Sequence, residues 1–164
     1  MWFVILFVFI GIFARFVPHF PNFTPIAAVA LFSGVYFKKK YGWLLPLGIF
    51  IGSDLIVGLH QTVIFTWGTI VLIYFLGKAL QNRKTITNTA IFTLASSFIF
   101  FLTTNFGVWL MGWYPPTLAG LTSCYINALP FFRMSLMANF AYGLVFFGAY
   151  EYLAKKHKLA YKAA

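Results

Sequence analysis

With 62% hydrophobic and only 9% charged side chains, this 164-residue chain cannot cover a water-facing surface, for which soluble domains use roughly 25% charged residues. A mean hydropathy of +0.87 and 22 phenylalanines point to lipid as the main solvent, and so to a multi-pass inner-membrane protein. The net charge of +10 does not by itself imply nucleic acid, because in a membrane chain the question is where the cations fall, and the single Cys124 excludes an internal disulfide.

Six apolar segments follow, near 1–17, 24–37, 41–59, 62–77, 87–112 and 130–153, against the roughly 20 residues that a spanning helix needs. Segments one, two and four are short, so their helices are expected to extend into the flanking residues. Segment one has no basic leader and reaches Arg15 without a small-residue cleavage site, so no cleavable signal is expected. The stretch RFVPHFPNFTP, residues 15–25, then interrupts the apolar chain with Arg15, His19, Asn22 and three prolines. Thr24-Pro25 at its end reads as an N-cap with proline in the first helical position. Ala30 with Gly34, and Gly48 with Gly52, form small-xxx-small pairs that let helices approach closely in lipid. Pro46 predicts a kink inside the third helix, and His60-Gln61 predicts a tight antiparallel hairpin to the fourth. No repeat, linker or second domain is visible, so residues 1–164 read as one integral membrane domain.

Lys38, Lys39 and Lys40 follow segment two; Lys78, Arg83 and Lys84 follow segment four; Lys155, Lys156, Lys158 and Lys162 follow segment six. Only Arg15 and Arg133 of the 12 Lys and Arg fall on the other side. The positive-inside rule then predicts six transmembrane helices with both termini cytoplasmic. The charge thus reports topology, and no nucleic-acid partner is expected.

The other polar residues gather on the outer side. Asp54, the sole acid besides Glu151, lies near the end of the third helix, with His60 just beyond. An ionisable group at membrane depth is expensive and is a functional-site hypothesis with a named partner; the strong partners for Asp54 are Arg15 and Arg133. A purely structural ion pair is the competing reading. Segment five carries Thr103, Thr104, Asn105, Trp109 and Trp113, the last three at i, i+4, i+8 and so on one helical face. The long loop YPPTLAGLTSCYINALP adds Tyr114, Cys124, Tyr125 and Asn127, and Arg133 opens the sixth helix. Aromatics with a few directional polar groups commonly line small-molecule sites, although Trp109, Trp113 and Tyr114 also suit an interfacial aromatic belt. His19, His60 and Cys124 could hold a metal or haem, but no ligand spacing supports it, and no cofactor is expected. Glu151 with Lys155 reads as an i,i+4 surface pair. With no Walker A, no Rossmann glycines and no credible nucleophile set, an enzyme is not expected.

The runs RFVPHFPNFTPIAAVALFSG, SDLIVGLH, TTNFGVWLMGWYPPTLAGL and CYINALPFFR resemble a family of small uncharacterised bacterial inner-membrane proteins, from Arg15 to about Glu151. More remotely, the size, the six segments and the proline-bearing first loop are similar to the substrate-binding S components of energy-coupling-factor vitamin transporters. That resemblance implies an all-helical fold and a ligand near the outer face, among Arg15, His19, Asn22, Asp54, Asn105, Trp109, Tyr125 and Arg133, with His60 nearby. S components dock on a coupling subunit through A-x-x-x-A in the first helix. Here the first segment has only Gly11 and Ala14, and the nearest small-residue face is Ala27, Ala30 and Gly34. Two functions follow as expectations: uptake of a small organic solute, with an ATPase or coupling module as partner, or a small structural subunit of a larger membrane complex.

Overall fold

The computed structural model describes residues 2–16 and 22–156, and among them the chain is all helical. The helices are α1 (Trp2–Phe13), α2 (Ile26–Tyr36), α3 (Leu44–Val57), α4 (Val63–Leu80), α5 (Ile86–Val108) and α6 (Leu118–Lys156), with a π-helical segment at Trp109–Trp113. Among the described residues, three stretches are long and apolar enough to cross a membrane: Val63–Leu80, Ile86–Trp113 and Leu118–Lys156. The protein is a membrane protein by that measure. Helices α1, α2 and α3 have 12, 11 and 14 residues, short of the roughly 20 that span alone. Pro25 precedes α2, and Phe37 turns extended after it.

α2 is the centre of the molecule. Ten of its 11 residues, Ala27 through Tyr36, are buried, whereas a surface helix would bury one stripe. Small residues make this possible. A Cβ on Gly34 would lie 2.1 Å from the Tyr74 carbonyl oxygen, and one on Gly77 would lie 2.4 Å from that of Leu31. The backbones of α2 and α4 therefore touch. Val4, Val8 and Ile12 line the buried stripe of α1, and Gly11 lets that helix close on Val29 and Phe146. A ring cluster joins α1, α2 and α6: Phe7 to Phe32 at 5.6 Å, Phe32 to Phe146 at 5.9 Å, and Tyr36 to Tyr150 at 4.1 Å.

Several local expectations change. Gly48 and Gly52 meet nothing within 4 Å, so they mediate no close helix contact. Pro46 sits in the first turn of α3, where its missing N–H costs nothing, so it is no interior kink. The link from α3 to α4 covers residues 58–62 and turns at Gly58 with φ 115° rather than at His60-Gln61 alone. The loop expected at 114–130 is largely helical, because α6 begins at Leu118 and runs through Pro130. Arg133 is therefore mid-helix. The faces proposed for a coupling subunit are consumed inside the bundle, since Gly11 and the Ala27, Ala30 and Gly34 face are buried.

Gly77→Ala should lower the thermal unfolding midpoint in detergent, because overpacking costs about 1–3 kcal/mol and here the clash is with backbone. Gly52→Ala is expected to be neutral or to stabilise by up to about 1 kcal/mol. Equal midpoints for the two variants would refute the proposed contact.

Candidate functional site

The end of α1, the start of α2, the end of α3 and the start of α4 meet at one end of the bundle, opposite the lysines. Arg15 emerges just after α1 and places Nη2 2.7 Å from Asp54 Oδ1; the two side chains are 13% and 1% exposed. Arg15 Nη1 donates to Ser53 Oγ, which in turn donates to the Phe50 carbonyl. The guanidinium also sits over the Phe50 ring, 5.1 Å from its centroid. Trp67 on α4 donates its indole N–H to Asp54 Oδ2 at 2.7 Å. Oδ1 accepts no aligned hydrogen bond, so its contact with Arg15 is charge compensation without the directional bond. The Asp54–Arg15 half of the expected pairing is present. The Arg133 half is not: Arg133 is exposed on α6 and has no ion pair among the described residues.

Beside Arg15 opens a cavity of about 280 Å³. Of the residues singled out in the sequence, Arg15, Asn22, His60 and Asn105 line it. Phe100, Phe101, Phe131 and Phe132 give aromatic walls, while Thr66, Ser97, Thr104 and Ser135 add hydroxyls. Asp54 lies behind Arg15 and reaches the cavity only through it. Asn22 adopts φ 60° and its carbonyl accepts from Ser135 Oγ at 3.1 Å, which ties the first connection to α6. His60 Nδ1 lies 3.0 Å from Thr62 Oγ1. Asn105 Nδ2 donates to the Phe101 carbonyl.

The remaining candidates separate. His19 lies outside the described residues. Trp109 lines a different recess with Trp113, Tyr114 and Pro115, and donates to the Pro115 carbonyl at 3.0 Å. The π-helical segment, with Gly112 at φ 83°, breaks the 3.6-residue register, so Asn105, Trp109 and Trp113 do not continue one face. Trp113 instead donates to Gln61 Oε1 at 2.8 Å. Tyr125 stands behind the wall: its hydroxyl donates to the Leu102 carbonyl and its ring meets Phe101 edge-on at 5.5 Å. Cys124 is buried, with Sγ 3.4 Å from the Asn105 carbonyl.

The start of α2 brings in a residue that the sequence reading missed. Thr24 does not cap the helix. Asn139 of α6, 2% exposed, accepts from the Ala28 backbone N–H at 3.1 Å and donates to Ser97 Oγ at 3.1 Å. The signal was available: an amide inside an apolar segment is as costly in lipid as a buried hydroxyl pair and needs partners. Trp67 carried no such mark, since an indole in an apolar run reads as packing.

A family model described as a family of unknown function, DUF6580, matches residues 1–162. The chain belongs to the DUF6580 family. No curated protein and no solved structure matches this DUF6580 chain.

Asp54→Asn leaves the buried Arg15 uncompensated and is expected to cost about 3–5 kcal/mol. The double substitution Arg15→Met with Asp54→Leu should recover most of that loss, as read from thermal unfolding in detergent. A double variant no more stable than Asp54→Asn would show that the pair is not coupled.

Proposed function

We propose that this protein is a membrane-embedded binding and uptake protein for a small organic, vitamin-like solute, with its site near the outer face. The observation that carries the reading is the cavity of about 280 Å³ bordered by Arg15, Asn22, His60 and Asn105 and walled by four phenylalanines. Small-molecule sites combine such apolar walls with few polar groups and run to roughly 300–1,000 Å³, so this one suits a small ligand. Arg15 carries five N–H donors; Ser53 and Asp54 engage both terminal nitrogens, yet the side chain still borders the cavity. The α2 N-terminus opens beside it through Thr24 and Ile26, an arrangement that half-helices of transporters use for anionic substrate groups.

The reading includes six passes with cytoplasmic termini and a place in a bacterial inner membrane. Tyr36 at the end of α2, Lys84 after α4 and Glu151 near the end of α6 meet at one end. The lysine-rich connections therefore share a face, as the positive-inside rule requires of the cytoplasmic side. Counting back about 20 residues, one bilayer thickness, from Lys155 reaches the neighbourhood of Arg133. That residue then lies at the opposite interface, and the start of α6 stands beyond it as part of the mouth. The likeness to S components rests on these features and on the first connection beside the cavity. A partner ATPase module or an ion gradient would supply energy, and the small-residue faces inside the bundle are not where such a partner binds.

Native mass spectrometry of protein extracted in mild detergent from its own membranes tests the reading. One co-purifying small molecule is expected, reduced about tenfold or more by Asn105→Ala or His60→Ala, neither of which removes a core contact. Stoichiometric polypeptides with no small molecule would instead make the protein a structural subunit of a membrane complex.

A further inference from the structure

At the lysine-rich end, α5 and α6 diverge around a groove of about 650 Å³, more than twice the volume of the cavity beside Arg15. Phe140, Leu144 and Phe147 form one wall and Ala90 and Thr93 the other, while Lys84 and Lys155 stand at its mouth. We propose that this groove seats one anionic phospholipid, its acyl chain along α6 and its phosphate at Lys155 and the start of α5. The proposal does not depend on the solute reading.

Both walls belong to helices long and apolar enough to cross a membrane, so the groove would open onto the bilayer. Leu144 is 78% exposed and Ile86 91%, leaving the groove open along its side. Gly148 contributes no side chain, and a Cβ there would meet nothing within 4 Å. The headgroup end is cationic. α5 begins at Thr85, whose side chain accepts from Asn88 N–H, and its first turn holds no acid, so the helix dipole favours an anion there. Glu151 is the one acid in the lining, and it is bound by Lys84 and by the Tyr36 hydroxyl. Lys84 is its close partner and Lys155 acts on it only through charge, so its charge is compensated within the protein, and Lys155 borders the groove where the headgroup would lie. Basic clusters between membrane helices on the cytoplasmic side bind anionic headgroups in this way. A second copy of the chain is a poorer occupant, because a two-fold contact would bring two sets of these lysines together.

The full chain, reconstituted in vesicles of equimolar phosphatidylglycerol and phosphatidylcholine and released in mild detergent, should retain one phosphatidylglycerol in native mass spectrometry. Gly148→Phe starts from a Cβ that would meet nothing within 4 Å, adds a ring at the lining of the groove and is expected to lower retention by about tenfold or more. Lys155→Gln should keep a lipid but lose the preference for phosphatidylglycerol. On the unsubstituted chain, phosphatidylglycerol with a photoreactive acyl chain should label the Phe140–Phe147 stretch. Labelling spread evenly over the helices overturns the proposal, as does retention unchanged in both variants. A dimer abolished by Gly148→Phe also overturns it and makes the groove an interface between copies.

Discussion

The burial of α2 is the constraint from which the rest follows. An 11-residue helix rises only about 16 Å, so at least one of its ends lies at membrane depth, where unsatisfied backbone groups cost several kcal/mol each. The protein supplies partners at both ends from other helices. Asn139 accepts from the Ala28 N–H, and Tyr74 donates to the Phe37 carbonyl at 3.0 Å. The backbone contact between Gly34 and Gly77 holds the helix against α4. Because α2 stops short, space remains beyond its N-terminus, and that space is the cavity.

The Arg15–Asp54 pair sits at the edge of that space. Replacing a buried ion pair with well-packed apolar groups is often neutral or stabilising. Here the carboxylate is 1% exposed, and one of its oxygens lacks an aligned hydrogen bond. The other is bound by the Trp67 indole. Asp54 orients and neutralises Arg15, and Arg15 alone of the two reaches the cavity. Of the pair, Arg15 borders the cavity and Asp54 does not, while their ion pair joins the end of α1 to α3.

Continuous apolar runs and the positions of the polar residues made much of this legible. The apolar runs correspond to the six helices, and the sparse polar residues flagged Arg15, Asn22, His60 and Asn105 at one end. What stayed hidden depends on contacts between segments far apart in sequence. Trp67 reaches Asp54 and Trp113 reaches Gln61, and neither pairing leaves a local pattern. The start of α6 was obscured because Pro115, Pro116 and Pro130 suggested a loop. Helices accept proline in the first turn, and lipid-embedded helices tolerate it further in. The π-helical turn defeated the i, i+4, i+8 argument for Trp109 and Trp113, since one wider turn redirects every later side chain. Glu151 was read with its own-helix neighbour Lys155, which does act on it through charge, but its close partners, Lys84 and Tyr36, come from elsewhere in the chain.

α5 and α6 wall both spaces, the polar cavity at one end and the lysine-mouthed groove at the other. Between them the helices are pinned. Ser97 and Asn139 share a buried hydrogen bond of 3.1 Å, and one turn away a Cβ on Gly143 would meet Thr93 Oγ1 at 3.8 Å, ordinary contact. Apolar packing alone would let two lipid-facing helices slide, because lipid tails solvate leucine as well as another helix does. A side-chain amide with one definite partner on α5 and another on α2 does not permit that sliding. Asn139 fixes the depth of α2, the register of α5 against α6, and the floor that separates one space from the other. The two ends can therefore differ completely in chemistry while sharing the same pair of helices.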